Sequence, residues 1–126
     1  MDLDGFCQEI KDRFPEISAK ADRWYTLRWD DLTDTEYYSY SWFEALANAL
    51  NGEMRKETDP ALYGALLKVI SNAFESEGAE IAKAIDVAFV ENLFWEVPEH
   101  QAASYWAALP RGLKELYVNF HHRTPL

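Results

Sequence analysis

Residues 41–52 read SWFEALANALNG, and this stretch decides the class of fold. Phe43, Leu46, Ala47 and Leu50 recur at i, i+3, i+4 and i+7, the spacing that aligns one face of an α-helix. Asn51 and Gly52 tolerate a left-handed backbone, so the helix is expected to stop there. No run of alternating β-branched and polar residues suggests a strand.

Towards the N-terminus, Leu3, Phe6, Cys7, Ile10 and Phe14 mark a first helix that Pro15 ends or kinks. A short second helix follows toward Arg23. RWDDLTDTE (28–36) reads as a loop, because Asp and Thr side chains compete for backbone hydrogen bonds, and Asp34 or Thr35 caps what comes next. Towards the C-terminus, Asp59 and Pro60 give an N-cap with proline at the first helical position. Leu62, Leu66, Val69, Ile70 and Ala73 form the stripe of that helix, which runs to about Glu75. SEGAE (76–80) breaks the chain. Residues 79–97, AEIAKAIDVAFVENLFWEV, are apolar on nearly all sides, which predicts one helix at the centre of the bundle, closed by Pro98. Ala102, Tyr105, Trp106 and Leu109 mark another helix, and Leu113, Leu116, Tyr117 and Phe120 a last one beyond Pro110. HHRTPL reads as a frayed tail. The expected fold is all-α: a single-domain antiparallel bundle of five to seven helices over residues 1–126.

The net charge is −10, carried unevenly: residues 1–80 hold 17 acids against 8 bases, residues 81–126 hold 5 against 4. Such a surface repels phosphate backbones and anionic lipid, so neither direct nucleic-acid binding nor membrane binding is expected; it favours association with a basic protein. Acidity also serves solubility alone. The lone Cys7 cannot staple one chain, and MDLDGFCQEI lacks a secretory signal's basic start, which together point to a cytoplasmic protein.

Catalytic and metal-binding patterns are missing. There is no HExxH, no paired CxxC and no Glu three residues before a histidine, so no metal is expected. Gly5, Gly52, Gly64, Gly78 and Gly112 are too scattered to cradle a phosphate, and no GxSxG presents a serine, so no cofactor and no catalytic residue is expected. His121 and His122 read as cations at a helix C-terminus, His100 as a surface residue, Cys7 as a small buried hydrophobe, and Asp86 as part of a polar stripe.

What remains is the segment 24–43, with eight aromatic residues and four acids around one base, Arg28. Tyr and Trp offer rigid contact area at low entropy cost, and clustered carboxylates steer a positive partner inward. Trp29, Tyr37, Tyr38 and Trp42 are the candidate anchors, and Asp30, Asp31, Asp34 and Glu36 the steering charges. The same side chains also suit a core, with Trp24, Trp29 and Trp42 inside and the acids capping helices.

Three blocks, FCQEIKDRFPEI (6–17), SWFEALANAL (41–50) and VAFVENLFW (87–95), resemble those recurring in small bacterial proteins, some of which resemble the immunity proteins of polymorphic toxin systems. The resemblance covers most of the chain as a spacing of apolar and acidic blocks, without a diagnostic motif. It implies a cytoplasmic, non-enzymatic protein that binds one cognate toxin, such as a nuclease, and occludes its active site; it transfers no contact residue. The alternative expectation is a small-molecule- or lipid-binding helical bundle with an aromatic-lined cavity.

Overall fold

The computed structural model describes residues 1–29 and 38–126, except the side chains of Arg28 and Trp29. Asp2 opens α1 (Leu3–Arg13) by accepting the Gly5 N–H at 2.7 Å, which satisfies one orphan donor of the helix start. Phe14 alone separates α1 from α2 (Pro15–Trp29). Proline suits the first helical position because no N–H is needed there. α2 is longer than the sequence predicts and carries Arg28 and Trp29 out of the expected loop. Its inner stripe is narrow, with Ile17 the one large side chain beside the small Ser18 and Ala21, which fits its weak periodicity.

The central element is α3 (Tyr38–Arg55), which packs against α1, α2, α6 and the segment after α5. It does not stop at Asn51 and Gly52. Asn51, Glu53 and Met54 are all buried, so the helix is continued by packing that outweighs the local preference, and Glu57 is the first residue beyond it with a left-handed backbone (φ 58°). Asp59 then caps the next element as expected, accepting the Ala61 N–H at 2.9 Å. That element opens with a 3₁₀ turn (Pro60–Tyr63) before α4 (Gly64–Ser76). The tighter turn rotates Leu62 off the stripe and into solvent, while Leu66, Ile70 and Ala73 stay buried.

Gly78, at φ 97°, takes a left-handed backbone open to glycine and leads into α5 (Ala79–Lys83). The expected single helix over 79–97 is corrected here. Its pitch widens to a π-helix at Ala84–Phe89, tightens to 3₁₀ at Val90–Asn92, and then the helix ends. It lies beside α3, with Ile81, Ile85, Ala88 and Phe89 inward and Val87 outward. Leu93–Val97 forms a turn in which Phe94 and Glu96 both have positive φ, 67° and 52°. Residues with a Cβ adopt that region at a cost of about 1–3 kcal/mol each, and only when their surroundings impose it.

Those surroundings come from α3. The buried Asn51 side chain donates through Nδ2 to the Asn92 carbonyl at 2.8 Å and accepts the Phe94 N–H on Oδ1 at 2.7 Å, doing for the broken helix what the next turn of backbone would have done. One helical turn further, Arg55 donates from Nε to the Glu96 carbonyl and from Nη2 to the Trp95 carbonyl, at 3.2 and 3.0 Å.

α6 (Glu99–Ala108) and α7 (Arg111–His121) start where Pro98 and Pro110 hold the chain extended. α7 ends in a left-handed His122, whose N–H donates to the Val118 carbonyl at 2.7 Å. His121 stacks on Tyr117 with ring centroids 4.1 Å apart, and burial pushes its pKa below the ordinary value, which works against the helix-end cation expected there. Among the described residues, no helix is long and apolar enough to cross a membrane. The all-α expectation holds: seven α-helices around one core, with no strand among the described residues.

A second buried polar group sits below Asn51. Glu53 accepts from Lys20 Nζ at 2.9 Å and from the Tyr63 hydroxyl at 2.6 Å, with Lys56 3.6 Å away. Burial alone would raise its pKa, yet the Tyr63 and Lys20 hydrogen bonds outweigh it and leave the carboxyl below its ordinary value.

Two predictions follow from these groups. Asn51→Ala leaves a buried N–H and a buried carbonyl unpaired, and should lower the unfolding free energy in urea by about 2–4 kcal/mol, from about 1–3 per orphaned group. A loss under about 1 kcal/mol would show that the turn stands without the amide. Because the Glu53 pKa is depressed by folding, its stabilisation is complete above the ordinary value of 4.5 and fades as pH falls below it. Glu53→Gln should therefore lower stability at pH 7 and narrow the gap to the parent protein at pH 3; a gap independent of pH would contradict the assignment.

Candidate functional site

The aromatic segment 24–43 divides between interior and surface. Trp42 is 0 % exposed, with its indole N–H donating to the Asp22 carboxylate at 2.8 Å and its rings edge-on to Phe43 at 5.5 Å. Phe43, equally buried, stacks on Phe6. Trp42 is thus corrected from surface anchor to core residue: it lies on the inward stripe of α3, where Leu46 and Leu50 continue the core. Tyr38 is half-buried. Its ring stands edge-on to Tyr25 at 4.8 Å and its hydroxyl accepts from Lys11, whose ammonium also lies 5.2 Å from the Trp42 ring and 3.5 Å from Asp22. Burial would lower the Lys11 pKa, but the Tyr38 hydroxyl and Asp22 outweigh that and raise it. This cluster ties α1, α2 and α3 together. Asp30, Asp31, Asp34, Glu36 and Tyr37 lie outside the described residues, as does the side chain of Trp29 at the end of α2.

A different aromatic set faces outward. Trp24 and Leu27, one helical turn apart on α2, are 39 % and 80 % exposed, and Trp95 on the strained turn is 63 % exposed. These three line one groove of about 590 Å³. Apart from Ala45 the rest of its lining is polar: Glu44, Asn48 and Arg55 from α3, Asn92 from the 3₁₀ segment and Glu96 from the turn after it. Arg55 spends two donors on the Trp95 and Glu96 carbonyls, which ties the turn to α3. Singly exposed apolar residues are ordinary, but three large ones converging on one concavity are not.

The groove's α3 strip continues through Tyr40, and carboxylates gather around it. Burial raises the Tyr40 pKa, and Glu91, Glu44 and Asp86 raise it further, so three acids from α3 and the 84–92 segment sit within electrostatic reach of one phenol. Burial and Asp86 also raise the Glu91 pKa. Tyr40 in turn borders a second open depression of about 700 Å³, where Asp2, Asp4 and Glu80 outnumber Lys83. Other acids near helix ends are partly spent on structure: Glu53 is buried, Asp59 caps, and Glu80 accepts the Leu3 N–H at 2.9 Å. Among the described residues, no group of three His, Cys, Asp or Glu is placed to hold a metal ion. Cys7 is buried, and burial pushes its thiol up to about 11, well away from the thiolate a nucleophile needs.

Sequence reasoning missed Leu27, Glu44, Arg55 and Trp95. Leu27 was legible as an apolar residue off the Ile17–Ala21 stripe. Trp95 was hidden inside the apolar run, because nothing local announces that the helix breaks before it.

The fold and groove belong to a helical domain with an open, acid-edged apolar surface. The chain is a member of the family described as a domain of unknown function, DUF7674, which matches residues 7–123. No curated protein and no solved structure matches it.

The division of tryptophans is testable. Trp42→Ala should cost about 3–5 kcal/mol of stability as a core truncation, whereas Trp24→Ala and Trp95→Ala should each cost under about 1 kcal/mol. Equal losses in urea unfolding at all three sites would mean that the groove residues are packed.

Proposed function

We propose that this protein is a non-enzymatic inhibitor of the immunity type, which docks onto a basic toxin domain, such as a nuclease, and blocks its active site. The observation that carries the reading is the convergence of Trp24, Leu27 and Trp95 on one groove edged by Glu44 and Glu96. Aromatic anchors in a desolvated pocket supply most of the affinity of a protein interface, while rim carboxylates set the association rate and select a cationic partner. The strong acidity of residues 1–80 agrees with such a partner. So does the position of Asp30, Asp31, Asp34 and Glu36 in the chain, directly after the helix that carries Trp24 and Leu27. The docking surface proposed here keeps the steering acids of the segment 24–43 and replaces Trp42 with Trp24 and Trp95 as anchors.

The rival reading, a small-molecule- or lipid-binding bundle, has less in its favour. The interior space among Leu50, Met54, Phe94 and Tyr105 is about 10 Å³, room for about one water.

The test takes the product of the neighbouring gene as the candidate toxin. Trp95→Ser should weaken its binding about 30-fold or more, the equivalent of about 2 kcal/mol, with the fold intact by circular dichroism. Replacing Asp30, Asp31 and Asp34 by Asn should slow association at low salt and leave dissociation nearly unchanged. Affinity unchanged in both Trp95→Ser and Trp24→Ser would remove the groove from the interface.

A further inference from the structure

Asn51 and Gly52 form the one Asn–Gly pair in the sequence. The helix that contains them runs on to Arg55, so the glycine does not serve as a cap. Its backbone gives no other reason for it: among the described residues Gly78 is the one glycine at positive φ. Packing gives none either, since a Cβ built at Gly52 meets nothing within 4 Å. Alanine would fit there, and glycine inside a helix is less favourable than alanine because it loses more conformational freedom on folding. What distinguishes the pair is its chemistry. With no Cβ on the residue after an asparagine, the next backbone nitrogen has open access to the side-chain carbonyl carbon, which makes such an asparagine unusually labile. The Gly52 nitrogen attacks Asn51 Cγ, the Cγ–Nδ2 bond breaks, and the proton displaced from the Gly52 nitrogen leaves with Nδ2 as ammonia, closing a succinimide ring. Water then opens the ring at Cγ to give aspartate, or at the main-chain carbonyl to give isoaspartate, with no change of oxidation state.

The folded chain blocks this reaction. Asn51 is 0 % exposed, its Nδ2 is held by the Asn92 carbonyl at 2.8 Å and its Oδ1 by the Phe94 N–H at 2.7 Å. The Gly52 N–H lies within α3, where it is committed to the carbonyl one turn back and where the helical ψ of Asn51 turns it away from Cγ. Neither product suits the site. Aspartate loses the donor to the Asn92 carbonyl and sets a charge in a buried place, and isoaspartate also lengthens the main chain by one carbon. We infer that Asn51–Gly52 is a self-modification site gated by unfolding: silent in the folded protein, it converts in a copy whose α3 has opened, and that copy can no longer rebuild the Asn51 bridge. The amide on which the broken helix depends is therefore also the most labile one in the chain, and its loss limits how long an opened copy stays able to refold.

The experiment holds the full chain at pH 8 in buffer and, separately, in urea above its unfolding midpoint. Samples taken over days are diluted out of urea and their refolding is read by circular dichroism. Mass spectrometry of the peptide spanning residues 51 and 52 follows the loss of ammonia and the gain of water. The expected result is conversion in urea but not in buffer, with the fraction that refolds falling in step with the fraction converted. Gly52→Ala should fold, unfold at a higher urea concentration than the parent, and keep both its amide and its ability to refold over the same period in urea. Asn51→Asp, which carries one of the two products from the start, should unfold at a much lower urea concentration than the parent. Conversion as fast in buffer as in urea, converted chains that refold with the parent's midpoint, or Gly52→Ala chains that lose refolding at the parent's rate overturns the inference. A Gly52→Ala midpoint below the parent's would give the glycine a structural duty and overturn it equally.

Discussion

One side-chain amide holds the centre of this fold together. Between Asn92 and Phe94 the chain leaves helical geometry, which frees a half-buried carbonyl at Asn92 and a buried N–H at Phe94. Asn51 supplies both an acceptor and a donor at 2.7 and 2.8 Å. Serine, leucine or aspartate could not do the same, since none offers an acceptor and a donor spaced like a peptide group. The demand runs both ways. For Asn51 to face the break, α3 must still be helical at residue 51, and so the Asn51–Gly52 pair cannot act as the stop it resembles.

The rest of the architecture distributes around that join. Above it, Lys11, Asp22, Tyr38 and Trp42 tie the first three helices by one mixed ionic and aromatic cluster. Below it, Glu53 gathers Lys20, Lys56 and Tyr63. Both clusters draw their polar groups from α3 and its neighbours, so the helix that reads most clearly in the sequence is also the hub. The π-helical stretch 84–89 fits the same logic. A wider turn shifts the register of the side chains after it, and Val90 and Leu93 both reach the core while Asn92 is left beside Asn51.

Much of this was legible. The 3.6-residue period of residues 43–50, the Asp59–Pro60 start and the proline break at 110 each report a local preference that the structure keeps. Where the reading failed, a distant residue had overruled a local one. The extension of α3 depends on Glu53 and Met54 finding partners on other helices, and the end of the 79–92 segment depends on an amide 41 residues away from Asn92. The site was half legible for the same reason. Acid and aromatic content drew attention to residues 24–43, but content cannot say that Trp42 lies on the inner stripe of α3 while Trp24 lies on the outer side of α2. Trp95 could not be found without knowing that the helix breaks before it.

That break is also the strongest reason to look for function at the groove. Two residues with a Cβ hold positive φ within three positions, and Asn51 and Arg55 supply the hydrogen bonds that hold them there. Stability alone does not favour an arrangement that strains Phe94 and Glu96 in order to leave an indole 63 % exposed. Two α3 side chains, Asn51 and Arg55, are then committed to holding that indole's backbone in place. The balance makes sense under the proposed docking role, in which the exposed indole meets a partner outside this chain.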